Sequence, residues 1–324
     1  MKNKKVRFGI LGCADIAKRR FIPALIKSDC TEFVGIASRS KRRAKEIAEK
    51  YKVKIYSYES LIKSDNIDAV YIPLPNFLHF EWSLRALKEG KHVLCEKPIV
   101  LDSKSAHTLV ETAKKYNKSI MEGYMFLYHP QHLKIKKLIK KGAIGKPRLF
   151  RSSFGFLLED KKNFRLKKGT GGDALLETGG YPLAAIRFFF NNKIQNATGF
   201  SQYNCDGVEI NYKAIIKLKN GIIAEIGGGY NQAYECFYEI IGTKGIITLD
   251  RSYTTPADMH NIVKLRDGRD KHNIHLTSSD HFLNMINYFC RSIRYSKTRE
   301  VLRKDILSQI QLVDYVRSNL KVLK

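Results

Sequence analysis

In the tripeptide Glu96-Lys97-Pro98, the lysine is the charged side chain most firmly placed by its neighbours to act on a ligand. It follows the apolar run His92-Val93-Leu94-Cys95, which itself comes after a turn at Gly90-Lys91. In sheets of alternating strands and helices, ligands bind at the carboxyl ends of the strands, which is where Glu96 and Lys97 fall. The proline fixes the backbone beside the lysine. An ammonium held there can steady negative charge that develops on a reacting oxygen. Glu-Lys pairs are also common on solvated surfaces, so the tripeptide takes its meaning from a second motif.

That motif is the turn Gly12-Cys13-Ala14-Asp15-Ile16-Ala17, which ends the apolar run Val6–Leu11 and opens a helix-like stretch. Set against G-x-G-x-x-G/A, the first glycine and the last alanine fit, and Ala14 stands where a glycine normally lets a pyrophosphate approach. The cofactor is therefore expected to ride slightly higher on the helix N-terminus, where main-chain N–H groups and the helix dipole still serve phosphate. The second strand, Phe33–Ala37, leads into Ser38-Arg39-Ser40-Lys41-Arg42-Arg43 without an acid. A carboxylate there would bind the ribose 2′-hydroxyl of NAD, whereas an arginine accommodates the 2′-phosphate of NADP. Ser38, Arg39, Ser40 and Arg43 point to NADP(H), with the arginine fork matched to phosphate.

These motifs need a scaffold, and the first half of the chain supplies one. Runs at 6–11, 33–37, 55–56, 69–72, 92–95 and 119–121 read as strands separated by helical stretches at 41–51, 77–89 and about 103–116. Strands alternating with helices imply a doubly wound parallel sheet of the Rossmann type, and strands this apolar suit burial on both faces. After Glu122-Gly123 the pattern changes. Segments 148–156, 196–203, 208–218, 222–230, 235–241 and 245–249 read as successive strands, with Lys219-Asn220-Gly221 as a hairpin turn. Helical periodicity returns at 280–293 and 301–320. The expected fold is α/β: a nucleotide-binding domain at 1–122, then an α+β domain at 123–324 built on these successive strands and late helices.

Composition narrows the function classes. At 324 residues and 44% hydrophobic, the chain fits about two soluble domains, and it lacks the roughly 18 apolar residues in a row of a membrane span. The start, Lys2-Asn3-Lys4-Lys5 before an apolar run, imitates a signal peptide, but Asp15 and Lys18-Arg19-Arg20 interrupt it. Six scattered cysteines show neither Cys-x-x-Cys spacing nor a histidine cluster, which fits a reducing cytoplasm and no metal. The net charge of +27 is spread along the chain, so it reads as solvated helix faces and attraction for anionic small molecules, not as a nucleic-acid partner.

The runs "GILGCADIA", "ASRS", "VYIPLPNFLHFEWSLRALKEGKHVLCEKP" and "MEGYMFLYHPQH" together resemble the Gfo/Idh/MocA family of NAD(P)-dependent sugar oxidoreductases over essentially the whole chain. "GCADIA", "PLPNFLH" and "MEGYMF" are most similar to its NDP-hexose 3-ketoreductases of deoxysugar and unusual-sugar biosynthesis. The resemblance implies that a helix like Gly171-Gly172-Asp173-Ala174-Leu175-Leu176-Glu177-Thr178-Gly179-Gly180-Tyr181 carries the proton donor, and Tyr181 matches its catalytic Tyr or His. Glu177, one helical turn earlier on the same face, stands where the family usually has Asp. A free tyrosine titrates near about 10, so at neutral pH it is a proton donor, and a nearby Lys97 ammonium would ease the transfer. Arg165 resembles an arginine that contacts cofactor or substrate. Pro73, Leu74, Pro75, Asn76 and His79 resemble the loop beside the cofactor, although His79 could equally pack or cap a helix. His129 and His132 look like scaffold or sugar contacts.

The expected activity is NADPH-dependent reduction of the 3-keto group of a nucleotide-linked sugar. A dehydrogenase of a free sugar, polyol or dihydrodiol is the alternative within the family. A cofactor-binding regulator is the alternative outside catalysis, disfavoured because a mere binder needs neither Lys97 nor Tyr181. The resemblance implies that the second domain's sheet is large, mostly antiparallel and open-faced; such a sheet leaves apolar surface in water, so a homo-oligomer, dimer or tetramer, is expected.

Overall fold

A computed structural model describes residues 4–190 and 193–323; Lys2 and Asn3 of the signal-like start lie outside them. The chain divides into two compact units, Met1–Gly123 with Phe282–Ile310, and Tyr124–His281 with Gln311–Lys324.

The first unit is built on short apolar strands. These are β1 (Val6–Leu11), β2 (Thr31–Ala37), β3 (Lys54–Tyr56), β4 (Ala69–Ile72), β5 (His92–Cys95) and β6 (Ile120–Glu122). They form one six-stranded sheet in the order β3-β2-β1-β4-β5-β6, and every pairing is parallel. The strand order reverses between β1 and β4, so the switch point, where such sheets bind ligands, lies at the carboxyl ends of these two strands. Phe8, Ile10, Val70 and Val93 are fully buried, as strands covered on both faces require. The connecting helices are α1 (Ile22–Lys27), α2 (Lys41–Tyr51), α3 (Tyr58–Lys63), α4 (His79–Lys88) and α5 (Ser103–Lys115).

Two late helices complete this unit, α8 (His281–Arg294) and the first part of α9 (Ser296–Ser318). A division of the sequence into 1–122 and 123–324 assigns both to the second part. Their amphipathic faces explain where they pack. Phe289 meets Phe8 at 5.8 Å between ring centroids, and Asn287 accepts from the Ser28 hydroxyl at 2.7 Å. Arg303 donates to the carbonyls of Ala113 and Lys118 at 2.9 and 3.0 Å, tying α9 to the end of α5 and the turn after it.

The second unit contains α6 (Pro130–Lys140), α7 (Gly180–Phe190) and nine strands. The strands are β7 (Pro147–Leu157), β8 (Ile194–Tyr203), β9 (Glu209–Leu218), β10 (Ile223–Gly229), β11 (Asn231–Gly242), β12 (Gly245–Asp250), β13 (Ile262–Asp267), β14 (Asp270–His275) and β15 (Leu320–Leu323). Their order is β14-β13-β12-β11-β7-β10-β9-β8-β15. All pairs are antiparallel except β7 with β10 and β8 with β15. The hairpin β13–β14 and strand β15 escape the sequence pattern because all three are short, and β14, at the sheet edge, is mostly polar, so alternation carries little burial information.

One face of this sheet is core. Phe150, Tyr238, Ile240 and Tyr253 are fully buried there, together with the helical residues Leu183 and Ala185. The other face is open. Glu225, Arg151, Glu239, Thr248 and Lys264 stand side by side across five strands, with Ile215 50%, Ile223 44% and Phe200 48% exposed around them.

Candidate active site

The first cluster lies at the carboxyl edge of the six-stranded sheet, and main chain dominates it. Gly12 has φ +122°, a conformation that disfavours any side chain, and a Cβ there would stand 3.1 Å from Leu74 Cδ2. Gly12 N–H is tied to the Ala37 carbonyl at 2.8 Å, which draws the turn against the end of β2. Ala14 opens the helix, its carbonyl accepting from Lys18 N–H at 3.1 Å, while Asp15 is exposed and Ile16 half-buried. The next turn, Ala17–Phe21, is a widened π-turn, a distortion found disproportionately at functional sites. Phe21 stacks on Tyr71 at 3.5 Å, and the Tyr71 hydroxyl donates to Glu96 at 2.7 Å. Glu96 is thereby held from beneath, beside the half-buried Lys97. The Lys97–Pro98 peptide is cis.

At the end of β2, Ser38 Oγ accepts from Ser40 N–H at 3.1 Å, and Ser40 caps α2 by accepting from Arg43 N–H at 3.4 Å. Both serines shape the turn. Burial pushes the Cys13 thiol up, with the Ser38 side chain opposing. Arg42 is paired with Glu46. Arg39 and Arg43 are exposed and have no carboxylate partner among the described residues. Pro73, Leu74 and Asn76 are buried and Pro75 half-buried in the loop after β4. His79, the first residue of α4, is fully buried.

The second cluster is made of side chains. Leu175–Gly179 is another π-turn, leading directly into α7. Its first N–H is held by one buried carboxylate: Leu175 N–H donates to Glu209 Oε1 at 2.6 Å, and the Ser201 hydroxyl donates to the other oxygen at 2.7 Å. Burial raises the Glu209 carboxyl, with these bonds opposing. From this turn Glu177, its side chain 4% exposed, accepts from Arg165 Nε at 2.7 Å. Burial works against the guanidinium charge, and the Glu177 carboxylate more than offsets it. Arg165 also lies over the Phe164 ring at 4.7 Å.

Tyr181, 5% exposed, sits one turn beyond Glu177 in an aromatic cage. Phe154 approaches at 4.9 Å, Tyr124 at 5.4 Å, Tyr253 at 5.6 Å and Phe126 at 5.7 Å between centroids. Gly180 makes this possible, because a Cβ there would meet the Tyr124 hydroxyl at 2.0 Å. The cage fixes the ring, and edge-to-face packing of this kind adds about 0.5–1.5 kcal/mol per pair beyond area.

The structure therefore joins Glu177 with Arg165 and places Tyr181 on the same helical segment, all within the second unit. Lys97, Glu96, the Gly12 turn, Ser38–Arg43 and Pro73–His79 belong to the first. His132 is a core residue, its Nδ1 2.8 Å from the Tyr238 hydroxyl, and His129 caps α6 by accepting from Gln131 N–H at 3.2 Å. Sequence reasoning missed Phe154, Tyr253 and Tyr230. Tyr230 donates to the Gly172 carbonyl at 2.7 Å and so anchors the segment before the π-turn. None of the three carries a local signal, because each reaches the site from a distant strand or loop.

The fold and the first cluster define an oxidoreductase of the dinucleotide-binding class, with a second, sheet-based unit. Comparison with known proteins gives the family. Residues 6–124 match the oxidoreductase family with an NAD-binding Rossmann fold, and residues 132–248 match the GFO/IDH/MocA C-terminal domain. The chain is 35% identical, over 97% of its length and 95% of the relative's, to the dTDP-3,4-didehydro-2,6-dideoxy-alpha-D-glucose 3-reductase of Actinomadura kijaniata. It is 27% identical, over 95% of each chain, to D-xylose 1-dehydrogenase (NADP(+)) 2 of Haloferax volcanii. Among solved structures, the A. kijaniata 3-ketoreductase KijD10 in complex with NADP and TDP-benzene superposes with a TM-score of 0.93 at 34% identity, covering 99% of both chains. This protein belongs to the Gfo/Idh/MocA family of NAD(P)-dependent oxidoreductases.

Proposed function

We propose that this enzyme uses NADPH to reduce the 3-keto group of a nucleotide-linked sugar in the cytoplasm. The observation that carries the reading is its likeness, end to end, to dTDP-sugar 3-reductases. The residues fit an NADP cofactor. Gly12 leaves the close approach that a Cβ would fill, and the exposed Arg39 and Arg43 stand where a 2′-phosphate is read, with no competing carboxylate. When bound, the dihydronicotinamide supplies the hydride.

The protein's own groups do the rest. Tyr181 gives its hydroxyl proton to the ketone oxygen, and its caged ring spends little entropy in keeping that hydroxyl aimed. The Lys97 ammonium steadies the charge on that oxygen. Glu177 holds Arg165 by Nε, which leaves the two terminal nitrogens of the guanidinium for an anionic group. Among the described residues no helix is long and apolar enough to cross a membrane. The open sheet face, with Ile215, Ile223 and Phe200 exposed, is the surface on which a second copy would pack.

The test is NADPH oxidation, followed by absorbance, with a dTDP-linked 3-keto-6-deoxy sugar and with the same sugar lacking the nucleotide. Preference for the nucleotide-linked form supports the proposal. Oxidation of free xylose or of a dihydrodiol with NADP, and none of the linked ketone, would assign the enzyme to the free-substrate branch.

A further inference from the structure

His79 is a buried ionisable residue for which the chemistry above has no use. Its ring is 0% exposed. Nδ1 lies 2.8 Å from the Pro98 carbonyl oxygen, and Nε2 lies 2.7 Å from the Leu74 carbonyl oxygen. Carbonyl oxygens only accept, so a ring that satisfies both carries hydrogen on both nitrogens. Two other histidines, the half-buried His92 and the buried His129, show the opposite pattern. His92 Nδ1 accepts from Ser119 N–H at 2.9 Å, and His129 Nδ1 accepts from Gln131 N–H, so each has a nitrogen without hydrogen.

The two carbonyls held by His79 belong to different loops. Leu74 lies in the loop after β4, whose side chain also abuts Gly12 of the dinucleotide turn. Pro98 follows Lys97 directly in the loop after β5. Carboxylates border the second loop: Glu122 accepts from Ile99 N–H at 3.0 Å, and Glu96 accepts from Tyr71 at 2.7 Å.

We propose that His79 is a positioning residue, which staples the Lys97 loop to the Pro73–Asn76 loop and so holds the lysine main chain in register while its ammonium acts. This rests on the reading of Lys97 as the residue that steadies the ketone oxygen. Small displacements of a catalytic group can cost about 10²-fold in rate, so His79→Leu, which removes both donors, should slow single-turnover NADPH oxidation by that order.

A double-mutant cycle with Lys97→Ala distinguishes positioning from general support. If His79 acts through Lys97, adding His79→Leu to Lys97→Ala slows hydride transfer no further. Losses that multiply overturn the proposal. A Lys97→Ala variant as fast as wild type would defeat the reading of Lys97 itself, and the single variant alone reveals that. Should His79→Leu fail to fold, nitrogen-15 spectra of histidine-labelled wild-type protein decide the matter. Two protonated ring nitrogens at neutral pH are expected for His79, and one bare nitrogen overturns the double staple.

Discussion

The two clusters solve the same problem with different materials. At the edge of the six-stranded sheet, the groups proposed to face the ligand are main chain and loop: the Gly12 turn, the serine-shaped end of β2, and the loops at Leu74 and Lys97. In the second unit, the groups proposed to act are buried side chains, with Glu177 locked to Arg165 and Tyr181 caged by four rings. A site built from backbone tolerates loss of a side chain without losing its shape. A site built from buried side chains couples chemistry to folding.

Substitutions should expose that difference. The largest effect is expected at Tyr181→Phe, which keeps the ring in its cage and removes only the hydroxyl. General acid catalysis contributes about 10²–10⁴-fold, so single-turnover NADPH oxidation should fall into that range with cofactor affinity unchanged. A rate close to wild type would remove Tyr181 as the acid.

Glu177→Leu comes next, and here fold and function should fall together. It leaves Arg165 with a largely buried charge and no carboxylate, a change that typically costs about 3–5 kcal/mol. Chemical denaturation should show this loss, and turnover should drop as well. Unchanged stability would mean that the ion pair contributes little and that the contrast between the clusters is overstated.

Arg39→Ala tests the backbone-built side. A charge-assisted phosphate contact is worth about 1.5–3 kcal/mol, so NADPH affinity should weaken at least tenfold or so while NADH affinity and the unfolding midpoint stay put. Fluorescence titration of both cofactors measures it. Equal loss for NADH would place Arg39 away from the 2′-phosphate.

Over the one pH unit just below neutrality, the smallest effect is one the units share. Burial lowers His92 in the first unit to about 3 and His129 in the second to about 4. Both folded values lie below the ordinary histidine value of about 6.5. As pH falls through that value, the unfolded chain takes up protons that the folded chain refuses. Stability should therefore decline below about pH 6.5 by up to about 1.4 kcal/mol per pH unit for each ring, until about pH 4 for His129 and pH 3 for His92. Urea unfolding at pH 7, 6 and 5 checks this, and flat midpoints would contradict it.

The same contrast explains what the sequence made legible. The Gly12 turn, the acid-free end of β2 and the Glu96-Lys97-Pro98 loop each fit within a few residues, so spacing reveals them. The parallel sheet was equally readable, because its apolar runs report burial on both faces. Glu177 and Tyr181 share a helical face and could be paired by their spacing, but Arg165 meets Glu177 only through the fold. Phe154 and Tyr253 reach Tyr181 from strand β7 and from beyond β12, distances that no local pattern spans. The packing of α8 and early α9 with the first unit was hidden for the same reason, since amphipathic helices reveal a buried face but not its partner. The polar edge strand β14 lacks even that.

The central claim, hydride delivery to the sugar C3 carbonyl, is tested by isotope position. NADPH deuterated at nicotinamide C4 on the transferred face would be incubated with the enzyme and a dTDP-linked 3-keto-6-deoxy sugar, and the product read by proton and deuterium NMR. Hydride transfer to C3 predicts one deuterium at sugar C3 and a primary isotope effect on the single-turnover rate. Deuterium at another carbon, or a reduced sugar without deuterium, would contradict it.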